Sequence, residues 1–125
     1  MSPQRSARYT ITGGTLRLVS PQSEPIKGTL NGHLMLVIEN FDPDEYKVWV
    51  NKDEVTPYQD APQHPLQDDD SETVGPFDVE VLRLKIKNNS QFAFKKYKYT
   101  IHWQKTGTTM SANIDPDFEI EPVGQ

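Results

Sequence analysis

The stretch KKYKYTIHWQ, residues 95–104, decides the fold that this sequence predicts. Alternate positions carry large apolar side chains, and the positions between them carry polar or charged ones. The apolar set is Tyr97, Tyr99, Ile101 and Trp103. A period of two is typical of a strand with one buried face, whereas a helix would scatter these rings around its circumference. The stretch therefore predicts a β-strand whose rings face the core and whose lysines face water.

Further strands are indicated on both sides of this stretch. Gly13-Gly14 separates the first two as a hairpin turn would. Segment 45–50 alternates in the same way, and its Trp49 lies on the side opposite Val48 and Val50. Asp115-Pro116 predicts a break before the last strand, because proline pushes the preceding residue out of helical space. The predicted segments are 8–12, 15–19, 33–39, 45–50, 77–87, 109–114 and 117–121.

Two of these segments depart from simple alternation. Segment 33–39 is apolar on both faces, which is typical of a central strand covered on both sides. Segment 77–87 changes parity partway along, which predicts a β-bulge because a slip of one residue inverts every side chain. The first apolar set is Phe77, Val79 and Val81, and the second is Leu82, Leu84 and Ile86.

The overall composition predicts one all-β domain spanning residues 1–125. Ten prolines and seven glycines in 125 residues favour many chain reversals and disfavour long helices. Short strands without an amphipathic helix favour an antiparallel two-sheet β-sandwich of seven to nine strands, with an antiparallel barrel as the second choice. Residues 51–76 hold four prolines and the run Asp68-Asp69-Asp70, and we interpret them as one long acidic loop inserted into the domain.

The end of the chain resembles a known group of folds. The strand HLMLVIENF is followed by EYKVWV, and the chain later runs through YKYTIHW, a glycine turn and DPDFEIEP. This order resembles small bacterial β-sandwich proteins of the cupredoxin-like or immunoglobulin-like type, whose final hairpin reads Tyr-x-Tyr and then Asp-Pro-(Asp/Glu)-x-x-Ile. The resemblance covers about the last thirty residues well and residues 33–50 loosely. It implies a fold and carries no catalytic site with it.

The absence of cysteine excludes several chemistries. A blue-copper site needs a thiolate beside two histidines, so the cupredoxin-like resemblance comes without copper ligands. His33, His64 and His102 are far apart in the sequence, and we predict neither a metal site nor a cofactor. The acidic runs lack the glycine and the spacing of a calcium loop, and neither a nucleophile elbow nor a phosphate-binding loop is present. An unrecognised metal or enzyme-like site is kept as an alternative.

The location and the partner class follow from charge and hydropathy. The first residues lack an apolar signal segment, and no run approaches the roughly 20 apolar residues of a membrane helix. We therefore expect a cytoplasmic protein without membrane contact, and a processed exported protein is left open. The net charge of -5 argues against general nucleic-acid binding.

The charges are strongly segregated along the chain. Residues 39–80 carry thirteen acidic side chains against two lysines, whereas residues 81–105 carry seven basic side chains and no acid. One interpretation is charge pairing across strands, and the other is a basic face for an anionic partner. The residues of the proposed basic face are Arg83, Lys85, Lys87, Lys96, Lys98 and His102.

The function that these observations favour is non-catalytic binding. The partner is expected to be another protein, bound through an edge strand, the basic face or the acidic loop. The alternative is a carbohydrate- or small-ligand-binding module that uses Trp49 and Tyr58 as exposed rings. Nucleic acid is disfavoured because the lysines of the 95–104 strand and its rings lie on opposite faces, whereas a stacking groove needs them together.

Overall fold

The computed structural model describes residues 5–21 and 25–122. Over these residues the chain forms twelve strands and two single-turn 3-10 helices, Lys52–Glu54 and Ser90–Phe92. The all-β class is confirmed. The strands are β1 Ser6–Thr12, β2 Thr15–Ser20, β3 Ile26–Thr29, β4 His33–Asn40, β5 Tyr46–Val50, β6 Thr56–Pro57, β7 Asp70–Val74, β8 Val79–Lys85, β9 Lys96–Lys98, β10 Ile101–Lys105, β11 Ala112–Ile114 and β12 Asp117–Glu121.

The strands form three four-stranded sheets where the sequence predicted two. Sheet I has the order β2-β1-β4-β8, sheet II has β11-β10-β5-β7, and sheet III has β3-β12-β9-β6. Most pairs are antiparallel, but β1 runs parallel to β4 and β3 runs parallel to β12. The predicted hairpin between β1 and β2 is confirmed, and Gly13 and Gly14 take φ values of 60° and 79° in its turn. Glycine adopts this left-handed region without steric cost.

Sheets II and III are consecutive segments of one broken layer. Strands β11, β10 and β5 continue along the chain as β12, β9 and β6 in the same lateral order. The hairpin keeps its register across the break, because Ile101 pairs with Ile114 and Lys98 pairs with Asp117. The strand β5 and its continuation β6 do not keep their register across the break, because Ile101 pairs with Val50 whereas Lys98 pairs with Thr56. The 3-10 turn Lys52–Glu54 lies between β5 and β6, and it holds the extra residues that shift the register and separate the two sheets.

This break corrects the prediction of one strand over residues 95–104. The side-chain alternation is confirmed, since Tyr97, Tyr99, Ile101 and Trp103 are all buried. The backbone nevertheless leaves sheet III after Lys98 and enters sheet II at Ile101. The neighbouring Asp115-Pro116 lies opposite this point, and proline has no N–H to donate to a sheet ladder.

Two further predictions are wrong. Residues 51–76 are not one loop, because β6 and β7 lie within them and β7 forms the edge of sheet II. The acidic strand β7 has a single buried apolar residue, Val74, so its periodicity was too weak to detect. The predicted bulge near Val81–Leu82 is also absent, since β8 pairs with β4 in one continuous register. Strand β8 instead buries Leu82 and Leu84 and turns its first valines outward.

One hydrophobic core among the described residues receives side chains from all three sheets. Tyr9 of sheet I contacts Tyr99, which lies at the break between sheets II and III. Trp103 of sheet II donates its indole N–H to the carbonyl of Gly14 in the β1–β2 turn at 3.0 Å. These contacts hold sheet I against the broken layer.

Candidate binding surfaces

The residues predicted to form one basic face separate onto all three sheets, and His102 lies alone among them on β10 of sheet II. Arg83 and Lys85 lie on β8 in sheet I, and Lys87 lies just beyond the end of that strand. Lys96 and Lys98 lie on β9 in sheet III. The two groups therefore belong to different surfaces, and no strand pairing joins β8 to β9 within the described residues.

The lysines of sheet III already have neighbours that compensate their charge. The ammonium groups of Lys96 and Lys98 lie 4.9 Å and 5.8 Å from the centroid of the Tyr58 ring. The Tyr58 hydroxyl donates to Asp117 at 2.7 Å, and Lys96 Nζ lies 3.8 Å from the same carboxylate. Glu119 is the cross-strand partner of Lys96. This arrangement corresponds to cross-strand charge pairing with cation–π contacts.

The outer face of sheet I carries an exposed apolar strip. Val37 and Val81 are directly paired across β4 and β8, and Val79 is 47% exposed beside them. Val19 of β2 is 41% exposed at a register irregularity between β1 and β2. A shallow cavity of about 460 Å³ lies over this strip; it is lined by Ser6, Arg8, Val19, Ser20, Val37, Glu39 and Val79.

Basic side chains lie on the same face of sheet I as this strip. Alternation places Arg8, Arg17, Arg83 and Lys85 on the outer face of sheet I, since each neighbours buried residues in its strand. Glu39 is the only acid among the alternating outward positions of β1, β2, β4 and β8, and it forms an ion pair with Arg8. The face is therefore apolar in the middle and cationic overall, although the whole chain has a net charge of -5.

Two exposed phenylalanines lie at the end of sheet I where β4 ends and β8 begins. Phe41 is 50% exposed and Phe77 is 70% exposed. The Phe77 N–H donates to the carbonyl of Asp42 at 3.2 Å, which holds the two segments together. Phe77 has a φ of 56°, a left-handed conformation that costs a non-glycine residue about 1 kcal/mol or more. The sequence argument missed this patch because the predicted bulge placed Phe77 and Val79 on a core-facing parity.

Trp49 and His102 form a stacked aromatic pair on the outer face of sheet II. They are direct cross-strand neighbours, and their rings are stacked with centroids 5.0 Å apart and an interplanar angle of 7°. His102 Nε2 lies 2.6 Å from Glu54 Oε1, which also accepts a 2.9 Å hydrogen bond from Asn51. Tyr58 belongs to the surface of sheet III, so the structure does not bring the two predicted carbohydrate-binding rings into contact.

Asp42 accepts hydrogen bonds from backbone N–H groups and so stabilises the fold. Both carboxylate oxygens of Asp42 accept 2.8 Å hydrogen bonds, from the N–H groups of Gly13 and Gly14, and Tyr46 donates a further bond at 2.8 Å. Burial alone would raise the pKa of Asp42, but these bonds and nearby Lys105 together lower it below the ordinary value. Burial and the Asp42 carboxylate raise the pKa of Tyr46 to about 12.

The other acidic and histidine residues do not converge on a metal site in the described ranges. Asp69 accepts the Lys52 N–H at 2.8 Å, and Asp70 accepts the Arg83 N–H at 2.7 Å. His33 lies on sheet I and His102 on sheet II. Residues 5–21 and 25–122 contain no group of three or more His, Cys, Asp or Glu arranged to hold a metal ion.

The described part of the chain contains no helix of the length and apolar character needed to span a bilayer.

Comparison with known proteins does not assign a family. No protein-family model matches the chain, and no curated protein matches it. Among solved structures it aligns with a laccase and a multi-copper oxidase from Pediococcus acidilactici, at 10% and 11% identity and TM-scores of 0.35 and 0.33. The alignments cover 95% and 98% of this chain but only 27% of each longer chain. Similarity at this level is too low to assign a topology, so the cupredoxin-like or immunoglobulin-like topology stays a prediction.

Proposed function

We propose that this chain is a non-catalytic interaction domain that binds another protein through the outer face of sheet I. The observation that carries the proposal is the apolar strip of exposed Val19 and Val79 with half-buried Val37 and Val81, on a face whose outward charges are mostly basic. Contiguous exposed apolar side chains bordered by polar ones are typical of protein-binding surfaces.

Phe77 supports the same surface. Its ring is 70% exposed, and its backbone takes a conformation that phenylalanine adopts at a cost. Phe77 therefore contributes little packing energy to the isolated fold. An exposed aromatic ring beside an apolar strip does match the anchor residues that dominate protein interfaces. We therefore expect Phe77 to be buried in the complex.

The charges specify the chemistry of the partner. Arg8, Arg17, Arg83 and Lys85 exceed the one outward carboxylate of Glu39 on this face. A partner surface with an apolar centre and an acidic rim would be complementary to it. This retains Arg83 and Lys85 from the predicted basic face and leaves Lys96 and Lys98 outside the contact.

The test begins with site-specific photo-crosslinking in extracts of the source cells. p-Benzoylphenylalanine replaces Phe77 in one protein and Phe94 in a matched control, because Phe94 is also exposed, also has positive φ, and lies away from sheet I. The protein that crosslinks only through position 77 is then purified, and its affinity for this chain is measured. Equal crosslinking from both positions would reject the proposed face.

The affinity measurements decide the proposal. Val79→Asp and Phe77→Ser are expected to weaken binding of the purified partner by at least about tenfold, since Val79 lies in the apolar strip and Phe77 is the exposed ring at the end of the same sheet. Phe94→Ser is expected to leave the affinity unchanged. Higher salt should weaken binding of the wild type more than that of Arg83→Glu. A partner that binds Val79→Asp as tightly as wild type would refute this assignment.

A further inference from the structure

Trp49 has an aromatic neighbour on one ring face only, and the Lys47 ammonium lies over the ring, 5.3 Å from its centroid. Strand β5 lies between β10 and β7 in sheet II, and Trp49 pairs with His102 on one side and Ser71 on the other. The His102 ring stacks against one face of the indole. The opposite face is therefore turned toward β7, where it forms a wall of a cavity of about 310 Å³.

The polar groups around this cavity have unused hydrogen-bonding capacity. The lining residues besides Trp49 are Lys47, Asn51, Asp69, Asp70 and Ser71. Among the described residues, no hydrogen bond engages the Ser71 hydroxyl, the side-chain amide oxygen of Asn51, Oδ2 of Asp69 or the Lys47 ammonium, which lies over the Trp49 ring. These groups are two acceptors, one donor and one hydroxyl that does both. They converge beside one aromatic face, as the few oriented polar groups of a ligand pocket do.

A chain of side-chain contacts restrains the indole of Trp49. Asn51 donates to Glu54 Oε1 at 2.9 Å, Glu54 contacts His102 Nε2 at 2.6 Å, and His102 stacks on Trp49. The chain of contacts fixes the His102 ring, and the stacking then restricts the rotation of Trp49. Pre-ordering a binding ring in this way lowers the entropic cost of association.

The mixture of charges selects the ligand chemistry. Asp69 and Asp70 would repel an anion, and Lys47, whose ammonium lies 5.3 Å from the Trp49 ring centroid, would repel a cation. A neutral sugar ring fits both conditions, because its hydroxyls donate and accept, while its C–H groups can pack on the electron-rich indole face. The volume is near the lower end of ligand pockets, about 300 Å³, which suits one or two sugar rings.

We propose that the cavity between Trp49 and β7 is a binding site for a neutral saccharide. The site lies on sheet II and is independent of the protein-binding face of sheet I. Asn51 and Ser71 bind sugar hydroxyls, Trp49 stacks on one ring, and His102 acts as a positioning residue for the indole.

The experiment uses the full chain and a fixed panel of probes. Isothermal titration calorimetry and saturation-transfer NMR are run with cellobiose, maltose, xylobiose and N,N'-diacetylchitobiose. Glucosamine, glucuronate and adenosine are included as cationic, anionic and nucleoside competitors. At least one neutral saccharide is expected to bind with Kd below about 10 mM and more tightly than its charged counterparts. Failure of all four neutral probes, or binding of adenosine alone, would overturn the proposal.

Variants separate the pocket from general stability. Trp49→Ala is expected to weaken the bound saccharide at least about tenfold, and Trp49→Tyr should restore part of the affinity because a flat ring returns. Ser71→Ala should weaken it about fivefold without changing thermal stability, since that hydroxyl makes no hydrogen bond with any residue that the structure describes. Phe94→Ala, at an exposed ring beside sheet III, is the matched control and should bind as wild type. Unchanged affinity in Ser71→Ala and Trp49→Ala would refute the site.

Discussion

The hydroxyl groups of Tyr9 and Tyr99 lie 2.5 Å apart in the core, and each is the other's side-chain hydrogen-bond partner. Tyr9 belongs to β1 of sheet I, whereas Tyr99 lies at the break between sheets II and III. The bond therefore links the two layers at the point where one of them changes sheet. Burial raises the pKa of both hydroxyls above the ordinary value, which keeps them protonated and able to form this bond.

The two hydroxyls of the Tyr9–Tyr99 pair should contribute to stability as a coupled pair. The loss of stability in the double variant should therefore be smaller than the sum of the losses in the two single variants. Tyr9→Phe and Tyr99→Phe each leave a buried hydroxyl unpaired, so each is expected to lower the free energy of unfolding by about 1–3 kcal/mol. Urea unfolding of the four proteins measures the coupling. Strict additivity would show that the hydroxyls do not interact.

Alkaline titration should reveal the buried tyrosines. The pKa of Tyr46 and of Tyr97 is raised to about 12 by burial, with Asp42 contributing for Tyr46, and the pKa of Tyr9 and Tyr99 is raised as well. Because the folded pKa exceeds the unfolded value near 10, stability is fully present below pH 10 and is lost as the pH rises toward 12. Tyrosinate absorbance at 295 nm should therefore appear together with loss of circular dichroism. Ionisation of two or more of the five tyrosines before the chain unfolds would contradict this.

Asp42 should be the most important carboxylate for stability. Asp42→Asn replaces an acceptor of three hydrogen bonds with a group that also donates, and we expect a loss of about 2–4 kcal/mol in the free energy of unfolding. Asp44→Asn is the matched control. Its ion pair with Lys105 spans 3.3 Å between exposed side chains, so its loss should stay within about 0.5 kcal/mol. Similar losses in the two variants would remove the special role of Asp42.

The loss of stability at low pH should also depend on Asp42. The folded pKa of Asp42 is lowered from its value of 3.8, so its contribution is present above the unfolded pKa and is lost as the pH falls through the folded one. Wild type should therefore lose stability on acidification below about pH 5 more steeply than Asp42→Asn. Unfolding curves from pH 6 to pH 2 test this. Parallel pH profiles for the two proteins would count against it.

Gly28 should tolerate no side chain. A Cβ at this position of β3 would lie 2.3 Å from Ile86 Cδ1 and 2.8 Å from Leu34 Cδ2, both in the core. Gly28→Ala is therefore expected to destabilise the fold by about 1–3 kcal/mol through overpacking. Gly75→Ala serves as control, because its nearest neighbours would be 3.9 Å away. Thermal unfolding distinguishes them, and an unchanged melting temperature for Gly28→Ala would contradict the packing described.

Local periodicity was sufficient to locate the parts of the fold that bury one face. The segments around β1, β2, β4, β5, β8 and β12 were predicted, and so was the burial of Tyr97 and Trp103, because each alternation is visible in adjacent residues. Strands β3, β6 and β7 were missed. They are short or polar, and their pairing partners lie far away in the sequence, so their extended backbone depends on those partners rather than on their own residues.

The binding surfaces depended on tertiary structure for the same reason. Sequence alternation indicated that Trp49 is turned away from the core, yet only sheet pairing brought His102 and Ser71 to its two sides. Parity indicated outward basic side chains, yet strand pairing placed Arg83 on sheet I and Lys96 on sheet III, and the break after Lys98 placed His102 on sheet II. Periodicity reports which face of a strand a residue occupies. Which strands lie side by side is decided by long-range packing, and that packing determined where charges, rings and apolar side chains meet.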